Sequence, residues 1–307
     1  MSTDRTALPR GVFAATLTPL DESLAPDHTA FLAHARWLLA RGCDGLAPLG
    51  TTGEANSLTV DQRLALIELA TAELPAKRLL VGTGSCALGD AVRLTRASLA
   101  GGVSNVLVLP PFYYKPLADD GAFRFFAGLI DAVGDAGLRV HLYNFPQLTG
   151  FHFGHALIDR LSSRYGPVIA GMKDSSGDWE NMRATCRSFP DLAVYAGTER
   201  LLLDILNEDG AGCISATANV TATLCQAVYR SWLSVDGDAE SLQATLSEWR
   251  GAIERYPVVP ALKSLMGHVT GAPVWRNILP PLSPLPERDG NELKCQLEAL
   301  GPPGVLM

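Results

Sequence analysis

Short apolar runs alternate with amphipathic stretches along most of this chain. The apolar runs predict strands at Val12–Thr18, Gly45–Leu49, Leu79–Gly82, Asn105–Leu109, Arg139–Asn144, Val168–Lys173, Ala193–Gly197 and Gly212–Ala216. Helical spacing fills the intervals at Thr29–Ala40, Val60–Leu74, Ala91–Ala100, Phe123–Val133, His155–Arg164, Glu180–Ser188, Arg200–Glu208 and Thr223–Ser231. Start signals mark three of these helices. Asp27 precedes the first, Thr59 with Gln62 three residues on forms a capping-box pattern, and Asp178 precedes the sixth. Gly42, Gly101-Gly102 and Gly210 fall where helices must end. Eight strand-then-helix units predict a parallel sheet that closes into a (β/α)8 TIM barrel. A doubly wound open sheet is the competing arrangement, but no G-x-G-x-x-G follows the first strand.

Beyond about residue 235 the strand signal stops. Ala239–Arg255, Pro260–His268 and Glu292–Leu300 predict helices, with Pro280-Pro281, Pro284 and Pro286 as a stiff linker before the last. The expected organisation is a barrel over residues 1–235 and a C-terminal helical extension over residues 236–307.

Composition narrows the class. A length of 307 residues suits one such barrel with an addition, and 19% charged with 47% hydrophobic residues describes a globular protein. A net charge of −7 and no dense basic run argue against a nucleic-acid surface. The polar segment from Met1 to Arg10 carries no signal-peptide pattern and no apolar run reaches membrane-spanning length, so a cytoplasmic location is expected. None of the six cysteines forms a C-x-x-C pair, and no metal-ligand cluster is visible; His152 and His155 read as surface residues.

In a barrel of this kind chemistry occurs where the strands finish. Strand six ends on Lys173, followed by Asp174-Ser175-Ser176-Gly177-Asp178. Burial disfavours an ammonium and pushes a lysine toward the neutral amine that attacks a carbonyl to form a Schiff base. Among the five lysines, Lys77 and Lys115 sit in linkers and Lys263 and Lys294 on C-terminal helical stretches, so only Lys173 is expected to be a buried amine. Strand two ends in Gly50-Thr51-Thr52-Gly53-Glu54, whose glycines admit close backbone approach and whose hydroxyls and amides suit a carboxylate. Strand four ends in the aromatic loop Pro110-Pro111-Phe112-Tyr113-Tyr114-Lys115-Pro116, strand five in Tyr143-Asn144-Phe145-Pro146, strand seven in Gly197-Thr198-Glu199 and strand eight in Ile214-Ser215. Each signal alone also describes an ordinary turn or a packed loop. Their shared face makes a Schiff-base site.

The set Gly50-Thr51-Thr52-Gly53-Glu54, Tyr143-Asn144-x-Pro146, Gly171-x-Lys173-Asp174 and Gly212-x-Ile214-Ser215, with its spacing from about Gly11 to beyond Asn219, resembles the dihydrodipicolinate synthase/N-acetylneuraminate lyase family. The resemblance implies a class I pyruvate-dependent aldolase or lyase, with a homotetramer (a dimer of dimers) as its assembly. It implies an imine between Lys173 and pyruvate or another 2-oxo acid, with no further cofactor. Tyr143 would relay protons with Thr51 and with Tyr113 reaching across a subunit interface. Thr51 and Thr52, beside Gly50, would hold the pyruvyl carboxylate, and Ser175, Gly197, Glu199, Ile214 and Ser215 would meet the rest of the substrate.

One position departs from the synthase branch. There the loop after the strand-five tyrosine carries an arginine for the aldehyde's carboxylate, and the matching residue here is Leu148. Losing a charge-assisted contact costs on the order of 1.5–3 kcal/mol. Pro146-x-Leu148-Thr149-Gly150 and Lys173-x-Ser175-Ser176-Gly177-Asp178 look closer to the sugar-acid lyases. The expected activity is cleavage of a 2-oxo-3-deoxy sugar acid to pyruvate and an aldehyde, with Leu148 and Glu199 setting substrate choice. Dihydrodipicolinate synthase and a sugar-acid dehydratase are alternatives on the same imine. A non-catalytic 2-oxo-acid sensor is the reading from another class, and it leaves the relay of Tyr143 and Thr51 without a purpose.

Overall fold

The structure, a computed structural model, describes residues 10–234 and 237–301. Among them are eight parallel strands: β1 (Gly11–Ala14), β2 (Gly45–Leu46), β3 (Val81–Gly82), β4 (Asn105–Val108), β5 (Arg139–Asn144), β6 (Ile169–Asp174), β7 (Ala193–Ala196) and β8 (Gly212–Ser215). They lie side by side in the order β2-β1-β8-β7-β6-β5-β4-β3. The two ends of that order meet, because Leu46 bridges Leu79 and the Leu80 and Gly82 amides donate to Leu46 and Pro48 carbonyls at 2.9 and 2.8 Å. The sheet is a closed (β/α)8 barrel, as the alternation predicts.

The helices are α1 (His28–Ala40), α2 (Val60–Glu73), α3 (Leu88–Ala100), α4 (Asp119–Val133), α5 (Pro146–Thr149), α6 (His155–Tyr165), α7 (Trp179–Ser188), α8 (Leu202–Asn207) and α9 (Ala218–Leu233). After the barrel come α10 (Ala239–Ile253), α11 (Val258–Thr270) and α12 (Glu287–Leu300). The expected boundary at residues 235–236 lies outside the described residues. All three sequence-read caps form: Asp27 accepts from the Ala30 amide, Asp178 from the Asn181 amide, and Thr59 and Gln62 close a reciprocal capping box. Each is worth about 1 kcal/mol.

Two local features escape the hydrophobic pattern. Strand β2 is short: Ala47 still exchanges backbone hydrogen bonds with Ala14 and Thr16, but Pro48 has no amide to donate and Leu49 turns the chain out at φ 59°. Helix α5 is too short for periodicity. It starts on Pro146, where a missing amide costs nothing, and stops at Gly150, which takes the left-handed φ of 67°.

Two apolar layers hold the barrel. Phe13, Leu80, Leu107, Tyr143, Tyr195 and Ile214 fill its interior. The outer layer, between strands and helices, runs on without a break into Leu246, Trp249, Ile253, Leu262, Leu265, Leu293 and Leu297 of the C-terminal helices. At about 1.5–3 kcal/mol per fully buried large apolar side chain, this shared layer fastens the extension to the barrel. Helices α10 and α11 are thereby held at the rim of the strand ends.

Candidate active site

The ends of strands five and six are locked from behind. Parallel pairing sets Tyr143 against Lys173 and Asn144 against Asp174, so one pair faces the barrel interior and the other faces the helices. Asn144 Nδ2 donates to Asp174 Oδ2 at 3.1 Å, Asn181 Nδ2 to the same oxygen at 3.2 Å, and the Ser176 amide to Asp174 Oδ1 at 2.8 Å. These bonds fix the backbone that carries Lys173. Gly171, two residues earlier, has no room for a Cβ, which would strike the His141 ring.

Lys173 is only 4% exposed, and its Nζ stands 4.4 Å from the centroid of the Tyr143 ring. The Tyr143 hydroxyl lies 3.4 Å from Thr51 Oγ1, and Phe145 stacks on the Tyr143 ring at 5.8 Å. Thr52 lies buried beside Thr51. All these side chains line one cavity of about 390 Å³ at the strand ends. Ser175, Ser176, Gly177, Gly197, Thr198 and Gln147 form its sides. Gly197 is required there: a Cβ would collide with Ser175 Oγ and the Asp174 carbonyl.

Other residues singled out in the sequence lie elsewhere. Gly50 lines a small crevice on the far side of Thr51 and Tyr143. Ile214 belongs to the packed barrel interior, beneath the cavity. Glu199 and Ser215 are fully buried behind the cavity wall rather than facing it. The Glu199 carboxylate accepts from Ser215 Oγ, Thr217 Oγ1, Thr221 Oγ1 and Arg250 Nη1. Leu148 is 52% exposed and off the lining; its neighbour Gln147 is the α5 residue that lines the cavity, donating to the Ser176 carbonyl at 2.6 Å. The expectation that Leu148 and Glu199 face the substrate is therefore corrected. Tyr113 is 75% exposed and packs edge-on against Tyr114, so the fold of one chain does not bring it to Tyr143.

A second correction concerns the lysines. Lys263 is 2% exposed, deeper than Lys173, because α11 packs under the strand-two turn. Its ammonium pairs with Glu54 and donates to the Asn277 carbonyl at 2.8 Å. Burial pushes its pKa down while Glu54 works against that. A helical position with alternating neighbours gave no sign that this cation would be enclosed.

The sequence reading missed the outer wall entirely. Arg250 and Glu254 of α10 and its C-terminal end, with Val258 and Val259 of α11, close the cavity. Arg250 Nε donates to Glu254 Oε1 at 2.7 Å, and Nη1 reaches Glu199, Ser215 and Thr217. Burial works against the guanidinium's charge, but Glu199 and Glu254 outweigh it and hold the pKa above its ordinary value. In sequence this pair is an ordinary i,i+4 contact on a helix surface. Among the described residues no group of three or more His, Cys, Asp or Glu side chains is arranged to hold a metal, and no helix is long and apolar enough to cross a membrane.

A half-open cavity at the C-terminal ends of barrel strands holds a buried amine beside a phenol, the placement an enzyme site takes in this fold. The comparisons identify the class. The family model described as the dihydrodipicolinate synthetase family matches residues 8–300, and the chain belongs to that family. It is 35% identical, over 96% of its length and 98% of the relative's, to an uncharacterized DapA-like lyase of Chloroflexus aurantiacus. It is 31% identical, over 95% and 98%, to the 4-hydroxy-tetrahydrodipicolinate synthase of Acidiphilium cryptum. Among solved structures it is similar to YagE of E. coli K12 in complex with pyruvate, at a TM-score of 0.86 and 28% identity, covering 95% of this chain and 98% of that one. The chain is thus an enzyme of the class I lyase and synthase type.

Proposed function

We propose that this enzyme cleaves a 2-oxo-3-deoxy sugar acid to pyruvate and an aldehyde, or joins the two, through an imine on Lys173. The single observation behind the reading is the cavity itself. It places the Lys173 amine, the Tyr143 hydroxyl and Thr51 together at its base, and lines the remainder with hydroxyl and amide groups from Gln147, Ser175, Ser176 and Thr198.

The neutral Lys173 amine adds to the substrate's C2 carbonyl, and loss of water leaves an iminium. Thr51 and Thr52, at the strand-two turn, hold the C1 carboxylate. Tyr143 gives its phenol proton to the departing carbinolamine hydroxyl, and the phenolate so formed takes the C4 hydroxyl proton as the C3–C4 bond breaks. The bonding pair moves into the C2–C3 enamine and the aldehyde departs. Protonation of C3 and hydrolysis of the imine release pyruvate and regenerate the amine. Tyr113 joins this relay only if a second copy brings it across an interface, so we include a homo-oligomer, acting in the cytoplasm, in the proposal. The relatives named as synthases support condensation of pyruvate with aspartate semialdehyde as the second reading.

Borohydride added with pyruvate should trap an adduct on Lys173, and Lys173→Arg should neither trap nor turn over, because a guanidinium forms no imine here. An adduct on another lysine, or none, removes the mechanism. A screen of 2-oxo-3-deoxy acids for pyruvate release, run beside aspartate semialdehyde condensation, decides between the two readings. Efficient condensation with no release from any sugar acid promotes the synthase.

A further inference from the structure

The outer wall of the cavity carries charge in an arrangement that the family reading does not use. Apart from Lys173, the charged side chains on the lining are Asp174, Arg250 and Glu254. Glu199 stands directly behind Arg250 Nη1 at 3.1 Å. Glu254 is shared, taking Arg250 Nε on Oε1 at 2.7 Å and Arg200 Nη2 on Oε2 at 3.1 Å. The positive charges at this wall are therefore already matched by carboxylates. Asp174 also borders the cavity, but its carboxylate is turned toward the helices and held there by amide donors of Asn144, Asn181 and the Ser176 backbone. At the wall itself two carboxylates, Glu199 and Glu254, match two guanidiniums. Once Lys173 has become an iminium opposite the substrate's own C1 carboxylate, nothing in the cavity is left to balance a second anion.

We propose that Glu254, delivered from the C-terminal end of α10, is the residue that restricts this enzyme to substrates whose far end is uncharged. This rests on the sugar-acid reading and deepens it. A hydroxylated tail finds acceptors at Glu254 and both donors and acceptors at Ser175, Ser176, Thr198 and Gln147. A terminal phosphate or carboxylate meets Glu254 with Arg250 and Arg200 already engaged, in a partly enclosed site where charge repulsion is weakly screened. The determinant thus sits on the extension rather than on a barrel strand.

The test compares three acids of one carbon skeleton: 2-oxo-3-deoxygluconate, its 6-phosphate, and the analogue carrying a 6-carboxylate. Wild-type kcat/KM for the first should exceed each of the others by at least tenfold, with most of the difference in KM. Glu254→Gln releases Arg250 and Arg200 and should shift the ratio toward the anionic acids at least fivefold. Arg200→Gln removes a half-exposed cation and should shift it the other way. Because each ratio is taken within one protein, loss of folded material does not move it. Equal use of the phosphorylated acid by the wild type, or a ratio unmoved in both variants, overturns the proposal. If none of the acids releases pyruvate, the cleavage reading fails. The charge rule is then judged separately, from how well gluconate and 6-phosphogluconate block borohydride trapping of pyruvate. Gluconate blocking at a concentration at least tenfold lower supports it; equal or weaker potency, or no block by either, overturns it.

Discussion

Lys173 and Lys263 show how little a residue type says until its partners are known. Both amines are buried, one beside a phenol in a cavity and the other against the Glu54 carboxylate. Lys263 is engaged by Glu54 and the Asn277 carbonyl, whereas Lys173 stands at the strand ends in a cavity that brings it to the Tyr143 ring and Thr51. Tyr143 is distinguished in the same way, by a hydroxyl 3.4 Å from Thr51 and an interior ring against the lysine. Tyr143→Phe should lower kcat by roughly 10²–10⁴-fold, the usual worth of a positioned acid–base group, while still permitting some borohydride-trapped adduct. Steady-state turnover at the wild-type rate in that variant would take Tyr143 out of the relay. Lys173, Tyr143 and the Thr51-Thr52 turn were legible because they end strands in a recognisable pattern. Arg250 and Glu254 were not, since nothing in an i,i+4 pair tells which side of its helix meets a cavity.

At the scale of elements, short segments do the aiming. Helix α5 has one turn, fixed by Pro146 at its start and Gly150 at its end, and it turns Gln147 inward while leaving Leu148 to solvent. A positive charge at 147 would therefore stand on the cavity lining of this chain. Gln147→Arg should raise kcat/KM for aspartate semialdehyde condensation by about tenfold or more, in line with one charge-assisted hydrogen bond of on the order of 1.5–3 kcal/mol. Leu148→Arg serves as the comparison, and a larger gain there would show that α5 is turned the other way. Strand β2 makes a related point: its apolar run continues to Leu49, and Ala47 and Pro48 still bond to the neighbouring strands, but Leu49 turns the chain out of the ladder.

The whole molecule joins barrel and extension through a buried ion pair. Glu54 leaves the strand-two turn with φ 56°, pairs with Lys263 of α11, and accepts the Leu279 amide at 2.7 Å. Lys263→Met strands a buried carboxylate and should cost about 3–5 kcal/mol in denaturant melts, with the double variant Lys263→Met/Glu54→Gln regaining much of it. Equal stability of the single variant and the wild type would show that water reaches Glu54. Two buried histidines add a pH dependence. Burial lowers the pKa of His34 to about 4 and of His141 to about 3, although a hydrogen bond to Asn219 at 2.8 Å partly supports the His34 cation. Both are neutral in the fold and protonate more readily unfolded, where the ordinary value is about 6.5. The unfolded chain thus binds more protons below that value, and stability is full above pH 6.5 and falls as pH drops toward 4. His34 alone contributes on the order of 3 kcal/mol to this loss, and His34→Gln should flatten the decline in melts taken between pH 7 and 4.5. An unchanged slope would mean that His34 is solvated.

The sequence alone determined the eight strand-and-helix units, three capped helix starts, and the face on which Lys173, Tyr143 and the Thr51-Thr52 turn gather. These follow from local periodicity, from cap chemistry and from the rule that parallel barrel strands finish on one side. Only the tertiary structure decided which polar groups face the cavity and which stand behind it. Glu199 and Ser215 close strands seven and eight as the pattern suggested, yet Arg250 arrives from α10 and draws them into a buried network. The same packing encloses Lys263 and brings Glu254 to the lining. Each outcome depends on contacts 16 to 225 residues apart in sequence, from Ser215 with Glu199 to Leu279 with Glu54, and no local pattern encodes a partner at that distance.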